Sequence, residues 1–127
     1  MPQSPTLHGP QRPLTLRDGL PSLRSNGGLQ ILRVGRKEHS GSDAIIFSGT
    51  PGASDSTARS VEVRFVPAGT AVPAPSFDVR TGRIHLSYDR RDHPDVIGLL
   101  NNRSARFCYF WRSADGTRCR GWLLITK

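Results

Sequence analysis

"RFCYFWRSADGTRCRGWLLI", residues 106–125, gathers five of the nine aromatic residues, both cysteines and four arginines into one candidate β-hairpin. Its centre, "SADGT" (113–117), has the pattern of a type I turn at Ala114 and Asp115 followed by Gly116 in the left-handed conformation, a three-residue hairpin loop with a bulge. That loop sets Ser113 opposite Thr117, Arg112 opposite Arg118, Trp111 opposite Cys119 and Cys108 opposite Trp122. Side chains alternate along a strand, so Phe107, Tyr109, Trp111, Cys119, Leu123 and Ile125 share one face, which by bulk is the core side. The other face carries Arg106, Cys108, Phe110, Arg112, Arg118, Arg120, Trp122 and Leu124. Changing the loop by one residue slips the register and moves Cys108, Phe110, Cys119, Leu123 and Ile125 inward, with Phe107, Tyr109 and Trp111 outside. Arg118, Arg120 and Trp122 share the outward face in both registers.

A sheet face in which Arg106, Arg112, Arg118 and Arg120 alternate with Phe110 and Trp122 suits stacked bases and a phosphate backbone. It is slightly better suited to guanidiniums that stack on neighbouring rings and reach out to water, binding nothing, because such pairs are common in structures. Arg112 opposite Arg118 is a like-charge pair that an anion would relieve. The cysteines read as buried free thiols, because neither register gives them disulfide geometry and no CxxC spacing points to zinc.

Away from the hairpin, "LQILRV" (29–34) and "DAIIFS" (43–48) are short strand-like runs joined by the polar loop "GRKEHSG". "SVEVRFV" (60–66) alternates cleanly, with Val61, Val63 and Phe65 on one side and Glu62 and Arg64 on the other. The prolines of "PAGTAVPAPS" (67–76) exclude a central strand. A short strand at "FDV", a turn at "RTGR" and an alternating strand "RIHLSY" (83–88) follow. "DHPDVIGLLNNR" predicts one short helix: Asp92 or His93 caps it, Pro94 suits its first turn, and Asn101 or Asn102 takes a left-handed stop. Residues 1–28 hold five prolines and no aromatic residue, which reads as a flexible arm ahead of one small domain over 29–127.

A chain of 127 residues is long enough for one self-sufficient core, and 13 glycines with 10 prolines favour strands and turns over long helices. No apolar run is long enough to span a bilayer and the N-terminus lacks a signal-type apolar region, so no membrane association and a cytoplasmic location are expected. The net charge of +8 suits a polyanionic partner, although sixteen of the eighteen basic residues are arginine, a skew that a GC-rich coding sequence also produces. Residues 102–127 hold six basic residues against the single acid Asp115.

No nucleophile elbow, HExxH, P-loop or dinucleotide fingerprint occurs, and no cofactor or metal is implied. The densest polar cluster, around His85, Asp89 and His93, is the one place for a small hydrolase-like site, and most of it is explained as helix-start chemistry. The order of elements predicts an all-β or β-rich α+β fold: a small OB-like or SH3-like barrel, or a rolled antiparallel sheet, with one short helix before a C-terminal hairpin. The expected function is a non-enzymatic binding module for single-stranded nucleic acid or another polyanion, its binding residues Arg106, Phe110, Arg112, Arg118, Arg120 and Trp122. The alternative is a protein-interaction or assembly subunit that uses the arm and an exposed sheet edge, engaging a protein partner or a second copy.

Overall fold

The computed structural model of the protein describes residues 27–102 and 104–125. The expected arm therefore lies outside the described residues, save Gly27 and Gly28. These two glycines already belong to the first strand, β1 (Gly27–Ser40). The other strands are β2 (Ala44–Pro51), β3 (Ser60–Val66), β4 (Ser76–Asp78), β5 (Arg83–Asp89), β6 (Arg106–Ser113) and β7 (Cys119–Ile125). A 3-10 turn (Arg90–Asp92) and helix α1 (His93–Leu100) separate β5 from β6. The strands form one nearly closed, barrel-like sheet in the order β4-β5-β3-β2-β1-β6-β7. A small β-barrel with one short helix before a C-terminal hairpin is thus the observed architecture.

β1, β2 and β3 form an antiparallel meander. β5 then runs parallel to β3, Val61 beside Ile84 and Phe65 beside Tyr88, with the three-residue β4 antiparallel on its far side. The ends of β3 and β5 and the start of β6 therefore lie at one end of the barrel, where α1 crosses and buries Val96 and Leu100 in the core. At the opposite end lie the β6–β7 turn, the β4–β5 turn and the start of β1. The interior is filled by Leu32 and Val34 of β1, Ile45 and Phe47 of β2, Val61, Val63 and Phe65 of β3, Ile84, Leu86 and Tyr88 of β5, with Cys108, Phe110 and Leu123 from the hairpin. Closure between β5 and β7 depends on Gly121. A Cβ there would stand 2.5 Å from Leu86 Cδ2 and 2.9 Å from Pro75 Cβ.

The hairpin takes the slipped register, with Cys108, Phe110 and Leu123 inward, and not the three-residue-loop one. Trp111 pairs with Arg120, Arg112 with Cys119 and Tyr109 with Trp122. The cause is Asp115, whose carboxylate accepts from the Thr117 N–H at 3.0 Å and the Thr117 hydroxyl at 2.8 Å. Thr117 thereby stays in the turn, and Ser113 closes the hairpin by donating its N–H to the Arg118 carbonyl at 2.9 Å. Gly116 does adopt the left-handed conformation, with φ 76°.

Two further expectations are corrected. The "GRKEHSG" segment is mostly not a loop: β1 continues to Ser40 and pairs with β2 through two register irregularities, and only residues 41–43 turn. Residues 35–40 are exposed, so this part of β1 is a wetted ribbon held by backbone pairing, with no buried face to give it a hydrophobic period. The helix also ends without a left-handed asparagine. Asn101 has φ −92° and no described residue other than glycine has positive φ. A guanidinium, described below, takes the last helical carbonyl instead.

Candidate binding surfaces of the terminal hairpin

The six residues singled out in sequence do not share one face. Arg106 turns to the helix end of the barrel, where its guanidinium donates to the carbonyl of Leu100, the last residue of α1, and to the Gly35 carbonyl at 2.8 Å. It also lies over the Phe47 ring at 5.8 Å. A cation at a helix C-terminus is favoured by the exposed carbonyls and their dipoles, so Arg106 is a structural clamp. Phe110 is an interior residue, its ring 6.0 Å from that of Phe77. Both corrections follow from the register, which sends Cys108 and Phe110 inward.

Trp122, Arg118 and Arg120 do share the outward face, as either register required. Both guanidiniums stand 5.9 Å from the centroid of the Trp111 ring, which they hold from its edge of the sheet. Trp111 is in turn part of a second apolar cluster, on the outer wall of the barrel, with Leu29 and Ile31 of β1, Tyr109 of β6 and Trp122 and Leu124 of β7. Tyr109 and Trp122 stack with centroids 5.5 Å apart and planes within 9°, and Arg33 covers Phe107 at 5.7 Å. None of the six cluster residues is more than 8% exposed, so their ring faces are not open for bases to stack on.

Sequence reasoning missed this outer cluster because it assigned each strand a single buried face. The contiguous runs "CYFW" and "WLLI" carry the signal: a strand buried on both faces reads as continuous hydrophobics rather than alternation.

Arg112 points to the open end of the barrel. It lines a crevice of about 260 Å³ with Gln30, Ser76, Phe77, Val79, Phe110 and Cys119, where β4 fails to meet β6 and β7. Arg112, Arg118 and Arg120 are all exposed, and none makes an ion pair among the described residues. The nearest acid, Asp115, is committed to the turn. The Ser113 hydroxyl at 2.6 Å and then the Thr117 N–H stabilise its carboxylate and hold its pKa at about 2, with attraction from Arg118 adding to the effect.

Cys108 and Cys119 are free thiols, and burial pushes the Cys108 thiol well up from its usual range. His85, Asp89 and His93 are each engaged separately. His85 Nδ1 lies 2.8 Å from Glu62 Oε1, across the parallel β3–β5 pair. Asp89 is held well below the usual carboxylate range, first by the Arg91 guanidinium and then by the N–H groups of Arg91 and Gly69. The His93 ring packs on Phe65 at 4.6 Å. Among the described residues no three His, Cys, Asp or Glu side chains gather as metal ligands, and no helix is long and apolar enough to cross a membrane. No protein-family model, curated protein or solved structure matches the chain.

Proposed function

We propose that the protein is a non-enzymatic binding module for an extended polyanion, single-stranded nucleic acid first, which it holds by its phosphates at the open end of the barrel. The observation that carries this reading is the placement of Arg112, Arg118 and Arg120 around one hairpin end, exposed and without an ion-pair partner among the described residues. Guanidinium forks of this kind match phosphate oxygens two at a time, and desolvating a ring is not required of them. The contact is electrostatic, with weak dependence on base identity, because Trp111, Trp122 and Tyr109 are buried and Phe110 belongs to the interior.

Anisotropy of a labelled single strand measured over a salt series tests it. Neutralising three phosphates gives a slope of log K against log salt near −2, on the basis of about −0.7 per phosphate for single strands. The double substitution Arg118→Glu and Arg120→Glu reverses the local field and lowers low-salt affinity more than about tenfold, by removing two such contacts. Negligible binding at low salt, or an unchanged affinity in the double variant, overturns the reading.

A further inference from the structure

Three elements line the crevice into which Arg112 points. β4 and the turn after it bring Ser76, Phe77 and Val79, the terminal hairpin brings Phe110 and Arg112, and β1 adds Gly28 and Gln30. Gly28 and Gln30 are two apart on one strand and so face the same way. A Cβ at Gly28 would meet nothing within 4 Å, so the crevice is deepened by a missing side chain where the strand has room for one. A glycine inside a strand weakens it and often marks the close approach of a ligand or another backbone.

The polar groups of the crevice suit an acceptor. No residue lining it carries a negative charge, and Arg112 carries a positive one with no ion pair among the described residues. Gln30 Oε1 accepts from the N–H groups of Thr57 at 2.7 Å and Ala58 at 3.1 Å, so the end of its amide left for a ligand is the NH2 donor. Ser76 adds an exposed hydroxyl. The nearby carboxylate of Asp78 is used in its own turn, where it accepts from the Arg80 N–H at 2.9 Å.

The apolar part is a ring wall with an open rim. Phe77 is half-buried and lies 6.0 Å from the buried Phe110. Val79, 76% exposed, is the single large apolar side chain left in the open among the described residues, and it sits on this rim. Its turn is closed by the Gly82 N–H on the Asp78 carbonyl at 2.8 Å, which fixes the valine there. An isolated exposed valine is ordinary; one that completes the wall of a donor-lined crevice is a contact for whatever enters it.

We propose that this crevice seats one unstacked base of the bound strand, with the adjoining phosphate on Arg112. The occupant must bring acceptor atoms, a flat apolar face and an attached negative charge, and its body must suit about 260 Å³, below the roughly 300–1,000 Å³ of sites for drug-sized ligands. A nucleobase on its phosphate meets all four conditions, and single strands offer unstacked bases to side chains in this way. Every base has edge acceptors and a flat face, so the seat asks for a ring more than for a particular base. It presupposes that the strand's phosphates bind at this end of the barrel, and it adds the one contact there that phosphate alone cannot make.

Two labelled strands separate the base from its phosphate: a thymidine single strand, and the same strand with every base removed. The full chain is expected to bind the second about tenfold more weakly, the scale of one stacked base, with the same salt slope. Gly28→Leu fills the crevice, lowers affinity for the thymidine strand to that of the abasic one and leaves the abasic affinity unchanged. In the unaltered protein, nuclear Overhauser contacts are expected from thymine methyl protons to Phe77 and Val79. Absence of these contacts in the bound state overturns the seat even if Gly28→Leu fails to fold. Equal affinity for the two strands overturns the seat and leaves the phosphate reading standing, whereas binding of neither overturns both. Thymidine 5′-monophosphate is expected to compete only at far higher concentration, since it cannot reach Arg118 and Arg120 as well; competition at the strand's own concentration overturns the strand as occupant in favour of a free nucleotide.

Discussion

Arg106 and Arg118 look alike in the sequence and have opposite uses in the molecule. Arg106 satisfies two backbone carbonyls, one at the end of α1 and one in β1, and lies over Phe47. Arg106→Met keeps much of the stem and removes the donors, leaving the Leu100 carbonyl half-buried without its partner. Urea denaturation should register a loss of about 1.5–3 kcal/mol, the scale of charge-assisted hydrogen bonds. Polyanion affinity should stay unchanged. Arg118 stacks on Trp111 with its head in water, so Arg118→Gln should cost under about 1 kcal/mol of stability, as an exposed cation–π contact does. Nothing local in the sequence separates the two residues. Which arginine meets a carbonyl and which meets solvent is set by the helix end that packing brings to β6.

At the scale of elements, the β6–β7 turn is pH-sensitive through Asp115. Its pKa falls from 3.8 to about 2 in the folded turn, because the Ser113 hydroxyl and the Thr117 N–H favour the carboxylate. A depressed carboxyl adds stability that is fully present above the unfolded value and is lost as pH falls through the folded one. The Thr117 amide resonance should therefore titrate with a midpoint near 2, and its exchange protection should drop between about pH 4 and pH 2, an interval set by those two pKa values. In Asp115→Ala the titration disappears. The same residue explains why the sequence left two registers open: the Thr117 N–H has two possible acceptors in the sequence, the Ser113 carbonyl across a tighter loop and the Asp115 side chain, and only the folded geometry chooses. β3 and β5 were legible because each buries one alternating set, Val61, Val63 and Phe65, or Ile84, Leu86 and Tyr88. The exposed half of β1 had no such set to read.

On the scale of the whole molecule, the barrel is nearly closed because a glycine sits where β7 passes Pro75 and Leu86. Gly121→Val should force these apart and destabilise the fold by about 1–3 kcal/mol or more, the usual cost of overpacking, seen as a lowered thermal midpoint. A midpoint equal to that of the unaltered protein would show that the contact yields freely. The order of elements was enough to expect a small barrel with a helix before the last hairpin. The parallel β3–β5 pairing was not, since strand runs carry no mark of direction. The shared outward face of Arg118, Arg120 and Trp122 was legible in either register; the separation of the six candidate residues, and the burial of Trp122, depended on two-sided packing. The central position of β1 has a consequence for biosynthesis. One of its neighbours, β2, follows at once in the chain, but the other, β6, places Trp111 beside Leu29 only after most of the domain has been translated. A nascent chain therefore holds one open edge of β1 until the terminal hairpin leaves the ribosome. Folding is completed late, by the contacts of highest sequence separation, and a chaperone that shields strand edges would act in that interval.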